Sequence, residues 1–281
     1  MLANNVIKNL AERLEAAEAE RRHIGQFSHE FPEMTIDDSY AVQRAWLELK
    51  KSKGGRLIGR KIGLTSKAMQ YAIGIDEPDY GFLTDAMLFH DGVVIPKNRF
   101  IQVKIEAELA FILGKPLCGP NCSIFDVLRA TEYISPALEI LDARIIRLDP
   151  VTKRARTIID NIADNASDAG IVIGGRPFKP TDAVDVRWVS ALCYRDASLE
   201  ESGVAAAVLN HPANGVAWLA NKLAPFGETL QPGEIILSGS FIRPVDIKPG
   251  NTVFADYGPL GTISCHFSME ASSKEMRILG R

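Results

Sequence analysis

Cysteine, histidine and aromatic residues are all sparse in this chain of 281 residues, and the scarcity narrows what it can be. The four cysteines are Cys118, Cys122, Cys193 and Cys265. Cys118 and Cys122, in LCGPNCS, offer half of a zinc site, but no second pair and no HxH completes it. Scattered thiols of this kind suit reduced cysteines in a cytoplasmic protein rather than a disulfide framework. No apolar run approaches the roughly 20 residues that a membrane helix needs. The opening MLANNVIKNLAERLEAAEAERR has no uninterrupted apolar stretch of the kind a secretory signal carries. Charge of neither sign dominates: 32 Lys and Arg against 35 Asp and Glu leave a net charge of −3 and no basic stripe, so nucleic acid is not an expected partner. GxSxG, Walker A and GxGxxG motifs are also missing from any suitable context, which argues against a phosphate-binding loop.

What is present is ample core material. Hydrophobic residues make up 46% of the chain, enough for one large domain with a smaller appendage. Residues 4–22 read as an amphipathic helix, with Val6, Leu10 and Leu14 at helical spacing. Thr35 and Asp38 in TIDD form a capping-box variant that opens a second helix running to about Lys51. From residue 56 the texture changes to short apolar runs separated by Gly, Pro and Asp, which read as strands and turns. One later helix is expected in HPANGVAWLANKLAPFG, with Pro212 in its first turn and Gly227 after its end. The last stretch, MEASSKEMRILGR, loses the strand pattern and reads as a tail.

One anomaly points to chemistry. The run IQVKIEAELAFILGKPL holds Glu106 and Glu108 among Ile105, Ala107, Leu109, Phe111 and Ile112. On a strand, residues two apart share a face. Ala110 and Ile112 continue that face, which suggests partial burial for both acids. Buried like charges need a partner with at least two positive charges, and a hard divalent cation suits carboxylate oxygen. A solvated strand face is the plainer reading of the same spacing. YISPALEILDAR repeats the anomaly with Glu139, which makes it the candidate third ligand. Asp142 competes for that role from the polar end of the run. Lys61 lies in the apolar, glycine-bounded GRKIGLTSKAMQ, either snorkelling to the surface or placed to bind an anion or move a proton. Asp79 follows Pro78 in a loop of otherwise ordinary turn acids. Ser238, Gly239 and Ser240 in LSGSFIRP form either a tight turn or a place where a ligand approaches backbone N–H groups.

Eight blocks, taken in order, carry a resemblance: GRKIGLTSKAMQ, EPDYG, FHDG, IEAELAFIL, PALEILDAR, DNASDAGIVIGGRP, NHPANGVAWLANKLAP and ILSGSFIRPV. Together they resemble the hydratase and decarboxylase branch of the fumarylacetoacetate hydrolase family, from about residue 5 to residue 268. The resemblance implies an α+β fold: a rolled mixed β-sheet core with outer helices and a smaller N-terminal α/β segment. Its parts are expected at 1–95 (N-terminal segment), 96–268 (catalytic core) and 269–281 (tail). It implies Mg²⁺, or Mn²⁺, on Glu106, Glu108 and Glu139, and assigns proton transfer to Lys61 and Asp79. The implied activity is hydration of a seven-carbon 2-oxo-enedioate through its 2-hydroxydienoate tautomer. Hydration of a five-carbon 2-hydroxydienoate and decarboxylation of a six-carbon 2-oxo-enedioate are neighbouring activities. A non-catalytic partner subunit is a reading of a different class. The implied substrate is a small 2-oxo or 2-hydroxydienoate dicarboxylate, and its second carboxylate makes Arg243 in SFIRPV a candidate cation, with Ser240 beside it. Homo-oligomers, pentamers or decamers, are implied as well. Arg60 departs from the pattern, standing where the branch leads one to expect His.

Overall fold

The structure, a computed structural model, describes residues 1–67, 70–71 and 75–271. Most of the expected tail lies outside the described residues.

Three helices open the chain: α1 (Asn4–Glu20), the single turn α2 (Phe27–Glu30) and α3 (Ile36–Ser52). The capping box read from the sequence forms as expected. Thr35 Oγ1 accepts from the Asp38 backbone N–H, and the Asp38 carboxylate accepts from the Thr35 N–H. Helix α1 packs along α3 through Leu10, Leu14, Val42 and Trp46.

Thirteen strands then build two sheets among the described residues. The larger contains β1 (Leu57–Gly63), β2 (Asp79–Thr84), β3 (Leu88–His90), β5 (Val103–Leu113), β6 (Thr131–Asp142), β7 (Asp168–Ile173), β10 (Ile235–Leu237) and β11 (Val245–Asp246). Its order is β2-β1-β10-β5-β6-β7-β3, with β11 also on β5. It is mixed: β1 with β10 and β3 with β7 are parallel, and the rest are antiparallel. The smaller sheet runs β4-β13-β12-β8-β9, where β4 is Val93–Ile95, β8 Ser190–Arg195, β9 Ser198–Val204, β12 Thr252–Asp256 and β13 Thr262–Phe267. The boundary expected at 95/96 falls inside shared sheets, since β1 pairs with β10 and β4 with β13.

Three short helices follow the first strands: α4 (Ile124–Ala130), α5 (Ile158–Ala163) and α6 (Pro212–Leu223). The last starts at Pro212 as expected. His211 Nδ1 accepts from the Ala213 N–H, and Gly227 adopts the left-handed conformation after the end.

Strand alternation decides where the core sits. On β5, Ile105, Ala107, Leu109 and Phe111 enter the core between the two sheets, with Val253, Ala255, Ile263 and Cys265 across from them. Ala110 on β5, Ala137 on β6 and Leu237 on β10 enter the second core, under the N-terminal helices. Glu106 and Glu108 share the face of Ala110. They therefore point toward the helical layer, at the edge of an apolar core.

Candidate active site

Register brings the acids together. Glu106 on β5 stands directly opposite Glu139 on β6, and Glu108 is one pleat along the same face, opposite Ala137. One carboxylate oxygen from each of Glu106, Glu108 and Glu139 lies within 4.8 Å of the others. Glu108 and Glu139 are almost wholly buried, and Glu106 and Glu108 both line a cavity of about 910 Å³. The Gly239 N–H donates to Glu108 Oε2 at 2.9 Å. The buried Glu108 Oε1 and both oxygens of Glu139 have no hydrogen-bond partner.

Two unit charges about 4 Å apart cost roughly 4 kcal/mol even at an effective dielectric of 20. Burial, with the charge of Glu139, accordingly pushes the Glu106 carboxyl up to about 8 and Glu108 well above the ordinary range. Three convergent hard oxygen donors with unsatisfied lone pairs fit a divalent cation. Asp142, the competing third ligand, is committed elsewhere: its oxygens accept from the Ile101 and Gln102 N–H groups at 2.9 and 2.7 Å.

Lys61, in β1, does not snorkel. It is 3% exposed, and its Nζ lies 3.1 Å from Glu139 Oε1. Burial opposes its charge, but Glu139, Asp79, Asp168 and Glu106 outweigh that and hold the ammonium above its ordinary value. Asp79 opens β2 opposite Gly63 in β1. Asn161, in α5, donates to Asp79 Oδ2 at 2.6 Å, while the buried Oδ1 has no partner. Burial raises the Asp79 carboxyl, against the pull of Lys61. A Cβ on Gly63 would collide with Asp79 Oδ1 and stand 3.1 Å from Lys61 Nζ, so glycine leaves the space in which these two groups meet.

The LSGS segment lies beside β5. Gly239 has φ +116°, which favours glycine, and a Cβ there would strike Thr65. The Ser240 hydroxyl lines the cavity, donates to the Ile242 carbonyl at 2.9 Å and lies 3.4 Å from the Ala107 carbonyl. Arg243 stands at the cavity rim with its side chain 84% exposed, bound to Glu201 at 2.8 Å. A solvated, paired guanidinium of this kind lacks the burial expected of a receptor for a desolvated carboxylate. Arg60, the departure from the family pattern, pairs with Glu228 at 2.6 Å and is absent from the cavity lining.

Several groups were not singled out in the sequence. Asp168, at the start of β7, is buried beside Glu139 and Lys61, with Oδ2 unpartnered; burial and the Glu139 charge push its carboxyl well up. Arg147, Arg156, Asn161 and Ser167 line the cavity. Arg156 donates to Asn161 Oδ1 and Ser167 Oγ at 2.8 and 2.7 Å. Burial and the charge of Arg147 bring Arg156 down to about 10. Arg147 and Arg156 fall in DARIIRLDPVTKRARTIID, where scattered arginines carry no motif, whereas Ser167 and Asp168 lie in the block DNASDAGIVIGGRP, which marks the family without marking either residue.

Comparison with known proteins follows the same lines. The fumarylacetoacetate (FAA) hydrolase C-terminal family matches residues 66–268. The chain is 58% identical over 258 residues to a 2-oxo-hept-4-ene-1,7-dioate hydratase of Escherichia coli, covering 92% of this chain and 96% of that one. It is 37% identical over 260 residues to a 4-oxalocrotonate decarboxylase of Pseudomonas putida, covering 92% and 95%. The solved 4-oxalocrotonate decarboxylase of Pseudomonas putida G7, complexed with magnesium and adipate, superimposes with a TM-score of 0.89 at 36% identity, over 95% of this chain and 99% of that one. With its mixed curled sheets, its outer helices and its paired glutamates on β5, the chain belongs to the fumarylacetoacetate hydrolase family, in the branch of its hydratases and decarboxylases.

Proposed function

We propose that this chain is a divalent-metal-dependent hydro-lyase. It hydrates 2-oxohept-4-ene-1,7-dioate, through its 2-hydroxydienoate tautomer, to 4-hydroxy-2-oxoheptanedioate, a step in the catabolism of ring-cleavage products. The observation that carries this reading is the buried trio Glu106, Glu108 and Glu139 beside Lys61, in a chain 58% identical to a hydratase of that substrate. A divalent ion held by the trio, Mg²⁺ first and Mn²⁺ as the alternative, would polarise the 2-oxo acid and stabilise negative charge at its C2 oxygen.

The proton bookkeeping assigns work to the side chains. The 2-hydroxydienoate loses its C2 hydroxyl proton and gains one at C5, which leaves an enone electrophilic at C4. Water then bonds through oxygen to C4, and its second proton goes to C3. One water is consumed and nothing is released. Lys61, held charged by four carboxylates, serves as a hydrogen-bond donor to developing oxygen charge. Asp79, buried and raised, with Oδ1 free of partners, serves as the proton carrier. Asn161 fixes the other Asp79 oxygen, so the free one faces Lys61. Ser240 and Arg243 belong to the substrate side of the cavity, Arg243 at its mouth.

Two further expectations stand as part of this proposal. Four free cysteines and the absence of any long apolar helix among the described residues support a cytoplasmic setting. The outer face of the smaller sheet, where Val94, Leu192, Leu199 and Phe254 are exposed, supports a homo-oligomer, for which a pentamer or decamer is the expected form.

Five-carbon dienoate hydration and 2-oxo-3-hexenedioate decarboxylation would use the same trio, so product identity is the test. The protein is incubated with Mg²⁺ and 2-hydroxyhepta-2,4-dienedioate, and the product is weighed by mass spectrometry. A gain of one water supports the proposal. Release of CO₂ moves the chain to the decarboxylases. No turnover of this or the five-carbon dienoate favours a non-catalytic partner subunit.

A further inference from the structure

Residues 147–156 fold back on themselves between β6 and α5. Leu148 bridges Ala155, and the Arg156 N–H donates to the Arg147 carbonyl at 2.9 Å. Arg147 and Arg156 are therefore cross-strand neighbours, and both side chains reach the cavity that Glu106 lines. Like charges set opposite one another across two strands are destabilising. Neither arginine has a close, exclusive carboxylate partner: Asp164, Asp142, Glu106 and Asp246 act on Arg147 from a distance, and Asp164 and Asp160 act on Arg156. Arg147 has no ion pair among the described residues, and its buried Nη2 has no hydrogen-bond partner. The buried Nη1 of Arg156 is also unpartnered. Its nearest carboxylate, on Asp164, is 3.8 Å away and is already bound to Arg144 at 2.6 Å. Two guanidiniums with spare N–H donors, held together and half-buried, suit an anion with two acceptor oxygens.

We propose that Arg147 and Arg156 together form the receptor for the distal carboxylate of the substrate and set the preference for a dicarboxylate. This rests on the hydratase reading above, in which the 2-oxo acid end of the substrate lies at the glutamate trio. The receptor is built into the buried wall, whereas Arg243 meets solvent at the rim. Arg156 also holds Asn161, which holds Asp79, so an anion on the arginines steadies the proton carrier.

The test uses Arg147→Gln, because Arg147 has no hydrogen bond to the Asn161–Asp79 pair, with Arg147→Lys beside it. In Mg²⁺-loaded protein, kcat/KM is measured for 2-hydroxyhepta-2,4-dienedioate and for the monocarboxylic 2-hydroxypenta-2,4-dienoate. A charge-assisted pair is worth about 10- to 100-fold, so Arg147→Gln is expected to lose about that on the dioate and under about 3-fold on the monoacid. The lysine variant is expected to fall between. Equal losses on both substrates overturn the proposal, because a receptor for the first carboxylate would act on both. Binding is measured separately by calorimetry with adipate and with hexanoate. The proposal expects a preference for adipate in wild type that collapses in Arg147→Gln. An unchanged preference overturns it. If wild type turns over neither dienoate yet loses its adipate preference on Arg147→Gln, the hydratase reading falls and the receptor stands.

Discussion

Glu139 shows most plainly what one residue can carry. It is buried, both of its oxygens lack hydrogen bonds, and Glu106 faces it across the β5–β6 pair. Lys61 supplies a single positive charge against three carboxylates, a balance that suits a second cation. The spacing of Glu106 and Glu108 was legible in the sequence, because a two-residue period on an apolar strand fixes a shared face. Glu139 was legible as an acid in an apolar run. That it pairs with Glu106 was not, because register is set by contacts across the whole sheet. Gly63 is the sharpest residue-scale case. It lies in a strand, where alanine fits the backbone, yet a methyl group there would enter the space of Asp79 Oδ1. Gly63→Ala is expected to leave the thermal midpoint within a few degrees and to lower kcat by about 10²–10⁴-fold, the usual worth of a general acid or base. A fold-preserving Gly63→Ala variant with wild-type kcat would remove Asp79 from the proton path.

At the scale of elements, the helices were the easiest part to read and the functional loops the hardest. The capping box at Thr35 and the proline start at Pro212 are local signals, satisfied within one turn. The 147–156 hairpin carries no such signal, since its arginines are useful only because of the cavity behind them. The sequence left the LSGS segment as either a tight turn or a place where a ligand approaches backbone N–H groups. The group that makes the approach is Glu108 itself. The α1–α3 pair offers a stability test away from the site. Glu15 accepts from Trp46 Nε1 at 2.8 Å and pairs with Lys53 and Lys50 at 2.8 and 3.1 Å. Burial opposes its charge, but these partners bring the carboxyl down to about 2. A depressed folded pKa contributes stability above the ordinary carboxylate value of 4.5, and that contribution fades as pH falls toward 2. Glu15→Gln is expected to cost on the order of 1 kcal/mol at pH 7, discounted for partial exposure, and almost nothing near pH 2. Denaturant unfolding at both pH values checks this; an equal cost at both would mean that packing, not charge, is what the substitution removes.

For the whole molecule, both sheets draw strands from either side of residue 95, so the site is shared between the two parts. Lys61 and Asp79 come from one side and the three glutamates from the other. The smaller sheet covers one face of the larger. Its own outer face leaves Tyr194 and Phe254 in contact, ring centroids 5.9 Å apart, with Val94, Leu192 and Leu199 exposed on the same sheet. The sequence could not locate this surface, because apolar residues alternating on a strand look the same whether they meet a core or a second copy. Phe254→Glu is expected to reduce the mass measured by light scattering to that of a smaller assembly while secondary structure is kept. An unchanged mass would remove this face as the contact of the proposed homo-oligomer.

In the proposed reaction the glutamate trio works through a divalent ion to hydrate a dienoate. The most direct measurement strips wild type and Glu139→Gln with EDTA and follows loss of the dienoate absorbance of 2-hydroxyhepta-2,4-dienedioate before and after Mg²⁺ is restored. Stripped wild type is expected to be silent and to recover with Mg²⁺, while Glu139→Gln stays at least about 10²-fold slower at the same Mg²⁺. Turnover by the stripped wild type, or recovery of Glu139→Gln to the wild-type rate, would contradict it.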